Sequence, residues 1–217
     1  GIISLIKSLP LIVNTFAKSI KGLGKSSNSQ ERTDKDLPMT VVLVGSLVIA
    51  LLIWLIPTVP VTFLGALMIV VFGFFFATVS SRMVGLVGSS NNPVSGMIIA
   101  TLLVVTLILK ATGFTGYEGM ASAICIGTII CIVTAMAGDT SQDLKTGYIV
   151  GATPEKQQIG EILGAIISAF AIGLIMYLLN AAWGFGSKEI PAPQATLMKL
   201  VVEGVMGGTL PWALLLC

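Results

Sequence analysis

The sequence predicts an all-α, polytopic membrane protein of about six membrane segments, one or two of them broken or re-entrant. Three observations carry this reading. Apolar runs follow one another at Thr40–Ile56, Val59–Thr78, Val94–Leu109, Gly119–Ala137 and Ile162–Ala182. Charged residues are 10% of the chain and apolar ones 55%, against roughly 25% charged in soluble domains. The mean hydropathy is +0.98. A bilayer core needs about 20 apolar residues per helix, at about 1.5 Å of rise each. Several runs have that length, and the two shorter ones suggest thin, untilted or broken helices. A soluble chain of this size can bury one or two all-apolar helices, but not five.

The elements are justified in order. Residues 1–21 are apolar with spaced lysines, interrupted by Pro10, and read as the end of a membrane or interfacial helix. No signal-like cleavage site follows. Residues 22–38 are a polar linker on the cytoplasmic side, rich in Ser, Asn, Gly and mixed charge. Residues 39–217 form the transmembrane helical region. Pro38 can open the first span. Pro57–Pro60 is a tight turn that makes the first two spans antiparallel neighbours. Ser80, Ser81 and Arg82 are expected to end the second span.

The stretch from Met83 to Asn92 weakens a helix with Gly85, Gly88, two serines and two asparagines. It reads either as a loop with Asn92 as N-cap and Pro93 in the first turn, or as a broken segment at membrane depth. Such irregular backbone is tolerated only where it lines a cavity or packs on protein. Lys110–Glu118 is the opposite loop, and Gly119–Ala137 is the fourth span. After a long polar connection, Ile162–Ala182 is the fifth span, with Trp183 at its interface. Leu197–Cys217 carries Lys199 and Glu203 and is broken near Gly207, Gly208 and Pro211. It reads as a sixth span, a re-entrant piece or an interfacial one. Gly160/Gly164 and Gly204/Gly208 have the four-residue spacing that lets membrane helices pack closely.

Charge and composition narrow the function. The net charge of +2 is too small to suggest nucleic acid. Lys7, Lys18, Lys21, Lys25, Arg32 and Lys35 precede the first clear span, and positive charge beside a span marks the cytoplasmic side. Two spans return the chain there at Arg82, and two more at Lys145 and Lys156. No histidine is present, which removes the commonest metal ligand and the usual acid–base group near neutral pH. Cys125 and Cys131, six apart, do not share a helix face, and Cys217 is terminal, so no disulfide or metal site is expected. No cofactor is called for, and the phosphate-loop spacing GxxxxGK[ST] is missing. The chain starts at Gly1 and stops within an apolar run, so the expectation is a piece of a larger protein.

The polar connection Gly138–Gly160 reads GDTSQDLKTGYIVGATPEKQQIG. It has three readings: a solvated loop, a gate or coupling element, or part of a substrate path. Asp139, Thr140, Ser141 and Asp143 are candidate helix caps, and Pro154 can open the next helix. The stretch resembles the oligopeptide transporter family in DLKTG at 143–147, Gly151–Ala152, and Pro154 followed by Gln157 and Gln158. NNPVSGM at 91–97 resembles a second patch of that family. Two ordered, unusual motifs in the right apolar background are more specific than either alone. The resemblance covers most of the chain and is strongest to the family's more C-terminal half.

That resemblance implies a secondary active transporter moving small oligopeptides or metal–chelator complexes, coupled to protons. It implies a symporter in a bacterial or archaeal cytoplasmic membrane, with lipids and the remaining helices of the parent transporter as partners. Asn91, Asn92 and Ser95 are substrate-path candidates, because a helix beginning near Pro93 points unpaired amides at a substrate carboxylate. Tyr148 and Gln158 are weaker candidates for a vestibule. For coupling or gating the candidates are Asp139, Asp143, Lys145 and Glu161, with Glu118 and Glu203 as further acids. Glu161 is expected to start a span, where partial desolvation makes its charge costly. Glu203 can instead satisfy itself with Lys199, four residues away. The alternative is a passive channel or structural membrane subunit. An enzyme is not expected, since no compact acid–base or nucleophile–base constellation is present.

Overall fold

The computed structural model describes residues 31–89 and 92–208. The helix end expected within residues 1–21, Asn91 and the segment after residue 208, Cys217 included, lie outside the described residues.

Among the described residues a short turn at Arg32–Asp34 is followed by six α-helices: α1 Met39–Leu55, α2 Phe63–Val87, α3 Val94–Ala111, α4 Gly116–Val150, α5 Pro154–Ala182 and α6 Pro193–Gly207. The first five are long and apolar enough to cross a membrane, α1 being taken together with the turn before it. The protein is therefore a multi-pass, all-α membrane protein, as its apolar runs require. The described part of α6 is 15 residues long, short of a full span.

The central helix is α4. Helices α2, α3 and α6 pack against it, α1 lies on α2, and α5 meets α4 along a smaller seam. The core is made by Leu102, Val105 and Leu109 of α3, Ala123, Ile126 and Ile130 of α4, and Val202 of α6. Close approach is built into α4: a Cβ on Gly127 would stand 2.5 Å from Leu102 of α3. At the far end, Lys110 Nζ reaches across 2.8 Å to the carbonyl of Val205 in the last turn of α6, which also accepts from Gly208 N at 3.4 Å. Lys199 and Glu203 pair at 3.6 Å, as their spacing suggested.

Several expectations are corrected. The polar stretch after Gly138 is not a loop, because α4 runs unbroken to Val150 and the connection to α5 is only residues 151–153. Backbone hydrogen bonding does not depend on apolar side chains, and residues 138–150 contain no proline. The helix stops where Gly151 takes a left-handed conformation (φ 74°), which glycine adopts without steric cost, and Pro154 opens α5. Asp139, Thr140, Ser141 and Asp143 therefore lie inside a helix and cap nothing. Glu161 lies in the second turn of α5 rather than at its start.

Likewise Ser80, Ser81 and Arg82 do not end α2, which continues to Val87 and closes at Gly88 (φ 88°). Both serines are interhelical ties: Ser80 Oγ donates to the Thr134 carbonyl at 2.7 Å, and Ser81 Oγ to that of Ala137 at 3.0 Å. Helix α2 ends at Val87 and α3 begins at Val94, and Asn92 does not cap α3, whose N-cap is Pro93 without a side-chain bond. Gly160 and Gly164 meet nothing within 4 Å, so the packing expected there is not made by the described residues. In the other pair Gly204 is buried, while Gly208 ends α6 in the left-handed region (φ 71°).

Candidate functional site

One end of the bundle gathers the polar residues. There α2 and α4 finish, α3 and α5 begin, and Lys35, Arg82, Lys145 and Lys156 all belong to it. At about 1.5 Å per residue, α4 is roughly 50 Å long, against about 30 Å of hydrocarbon. Its polar last third therefore extends past its own apolar span. Met136, Asp139, Thr140 and Asp143 recur at three- and four-residue spacing and share one face.

That face lines an open cleft of about 330 Å³. Its walls are Met136, Asp139, Thr140, Gln142, Asp143 and Thr146 of α4, Glu161 of α5, and Ser89 from the break after α2. Thr140 Oγ1 donates to Glu161 Oε2 at 2.6 Å, the short distance typical of a bond to a charged acceptor. Among the described residues Glu161 Oε1 is buried without a hydrogen-bond donor, and Asp143 and Asp139 line the same cleft. Among the described residues no group of three or more acids and cysteines is arranged to hold a metal ion. The three acids line a wall and do not converge on a point.

The α5 side of the seam is set by Gln157. Its Nε2 donates to the Asp143 carbonyl at 3.2 Å, and its side chain fills the space that a Cβ on Gly147 would take. A larger residue at 147 would push α5 away from α4. On the other side, Ser89 N donates to Gln142 Oε1 at 2.7 Å and ties the break to α4.

The sequence-derived candidates divide. Asp139, Asp143 and Glu161 come together in the cleft. Lys145 turns away from it, Nζ donating to the Gly85 carbonyl at 2.7 Å, and supports the last turn of α2 as Lys110 supports that of α6. Tyr148 is exposed and Ser95 lies on the exposed face of α3; neither lines the cleft. Gln158 faces the linker, accepting from Leu37 N at 3.0 Å. Glu118 is in the first turn of α4 and Glu203 in α6, and neither lines the cleft.

Asn92 belongs to a separate node. Ser80 gives its one proton to Thr134, so it accepts from Asn92 Nδ2, at 2.7 Å. This fixes the orientation of the amide and leaves Asn92 Oδ1 buried without a partner among the described residues. Gly138 makes room for the node, since a Cβ there would stand 2.7 Å from Asn92 Nδ2 and 3.0 Å from Ser80 Oγ. Thr140, Gln142, Thr146 and Ser89 were not singled out as site residues. The signal for the first three was the helical spacing of the polar stretch, hidden by its reading as a connection.

The comparisons with known proteins agree in kind. A family model described as OPT oligopeptide transporter protein matches residues 3–217. A putative oligopeptide transporter of Haemophilus influenzae is 32% identical over 225 residues, covering 89% of this chain and 36% of that one. A probable metal-nicotianamine transporter of Arabidopsis thaliana is 30% identical over 96 residues, covering 41% of this chain and 13% of that protein. An iron-phytosiderophore transporter of Oryza sativa is 26% identical over 93 residues, covering 42% and 14%. The chain thus spans about a third of the length of the Haemophilus relative and a smaller part of the plant ones. No solved structure matches it.

Proposed function

The chain belongs to the oligopeptide transporter family, and from that premise we propose that it forms part of a proton-coupled secondary transporter for small oligopeptides or metal chelates. The relatives' names include both substrate classes. In this reading its partners are the remaining helices of the parent transporter, membrane lipids, protons and the transported solute. Its membrane is the cytoplasmic membrane of a bacterium or archaeon. The segment corresponds to the family's C-terminal half.

One observation carries the mechanism. Glu161 is held by Thr140, has no donor to its second oxygen among the described residues, and shares the cleft with Asp143 and Asp139. Glu161 is half-buried and the exposed Asp139 and Asp143 line the same cleft, so an ionised Glu161 meets like charge with part of its water removed. A proton on Glu161 or a cationic group in the cleft relieves that. A peptide's ammonium end, or the positive side of a chelate, supplies donors where Glu161 Oε1 has none. Lys145, directed to Gly85, leaves the wall acidic. Proton and substrate then share one acidic cleft, and its alternating exposure couples them. Asn92 and Ser80 hold the break at the start of α3 in place, so Asn92 acts as a positioning residue in this reading.

The test is uptake by the full-length protein in proteoliposomes, comparing labelled di- and tripeptides with metal chelates under an imposed pH gradient. Saturable uptake that follows the gradient is expected for one of the two classes. Fast flux that rises linearly with concentration, indifferent to the gradient, would instead identify a passive pore.

A further inference from the structure

Helix α5 is attached to the described chain mainly near its beginning. None of its residues is buried, and from Ile166 to Leu178 every one is exposed. The bonds to α4 from Thr140 and Gln157 lie in its first two turns. Just before it, residues 151–153 form a three-residue joint with Gly151 at φ 74°.

Across the same two turns lies a strap from the linker. The carbonyl of Lys35 accepts from Glu155 N at 2.9 Å, an amide in the first turn that has no acceptor within its own helix. Lys35 Nζ pairs with Glu155 Oε2 at 3.3 Å. Gln158 accepts from Leu37 N at 3.0 Å and donates from Nε2 to Asp36 Oδ1 at 3.3 Å. Residues 120 to 122 apart in sequence are thereby joined by four bonds. Glu161, which lines the cleft, and Gln157, which sets the seam with α4, lie within one turn of Gln158 on the same helix. A solvated linker has no need to be bonded at four points to one helix start, whereas a clasp does.

We propose that Lys35–Leu37 is a latch on the acidic cleft. Fastened, it presses the start of α5 against α4 and keeps the cleft narrow. Released, α5 swings about residues 151–153 and the wall carrying Glu161 moves away from Asp139 and Asp143. The inference deepens the transport reading and rests on it only for the consequence to uptake; the movement itself is independent of what the cleft binds.

The experiment uses the full-length transporter with its cysteines replaced by serine and one reporter, Thr146→Cys, in the cleft wall. Labelling by a bulky maleimide measures opening. Lys35→Ala should speed it about two- to fivefold, the range for one exposed ion pair. Gln158→Ala removes two hydrogen bonds and should speed it roughly tenfold. The exchange K35E/E155K should return the rate towards that of the parent. A second reporter, Tyr117→Cys at the opposite end of α4, should not respond. Unchanged labelling at position 146 in both single variants, or equal acceleration at 117, would overturn the latch. Faster labelling at 146 with uptake unaltered would uphold the latch and count against the cleft as the transport path.

Discussion

The two long sides of α4 are held by the same chemistry to different degrees. Towards α2 the seam is sealed: Ser80, Ser81 and Ser141 donate their hydroxyls to carbonyls across it at 2.7–3.0 Å, and Gly138 admits the Asn92 node. Towards α5 the seam is open at one end, with acids along a cleft of about 330 Å³ and a partner helix that has no buried residue. A hydroxyl carries its own proton and satisfies a neighbouring carbonyl without leaving charge behind. A carboxylate only accepts, and among the described residues Glu161 Oε1 has no donor. The contrast separates a fixed frame (α2, α3, α4 and α6) from a movable wall.

Substitutions can break or sharpen this contrast. The largest effect is expected at the wall. Glu161→Gln should abolish the dependence of uptake on the pH gradient while the amount of protein in the membrane stays the same. Proton dependence that persists in that variant would remove Glu161 from the coupling step. Next comes the frame. Gly138→Ala forces a methyl into the space beside Asn92 and Ser80 and should cost roughly 1–3 kcal/mol as overpacking, read as a lower melting temperature of the detergent-solubilised protein. Ser80→Ala deletes the acceptor of Asn92 Nδ2 and one interhelical bond. Such bonds in membrane proteins average about 0.6 kcal/mol, so a smaller fall is expected. The counter-test on the wall is Gly164→Ala, which meets open space and should leave stability equal or raise it by up to about 1 kcal/mol. Destabilisation there as large as at Gly138 would mean that α5 is packed as firmly as α2.

Part of the site was legible beforehand because Asp139 and Asp143 are four apart and share a face on any helix. What concealed the face was the polarity of its surroundings, which suggested a connection in water. Helical hydrogen bonds are indifferent to that polarity, and Ser141, Gln142 and Lys145 found partners on α2 and the break after it. Gln158 was singled out for a vestibule, yet its partners are Asp36 and Leu37, more than 120 residues away. No local pattern announces such a pair. Asn92 looked like a cap because Asn before a helix usually is one. A buried serine twelve residues earlier offered its amide a better partner.

By itself, the sequence determined the solvent and the element type. Runs of apolar residues with few charges have one stable setting, in hydrocarbon as helices, because the backbone must satisfy its hydrogen bonds internally there. It also determined the approximate span positions and the family resemblance. Only the tertiary structure decided which polar residues spend their hydrogen bonds sealing helices together and which keep an unmet need. That depends on the distance between atoms far apart in the chain, and a hydrogen bond or a charge acts only across a few ångströms.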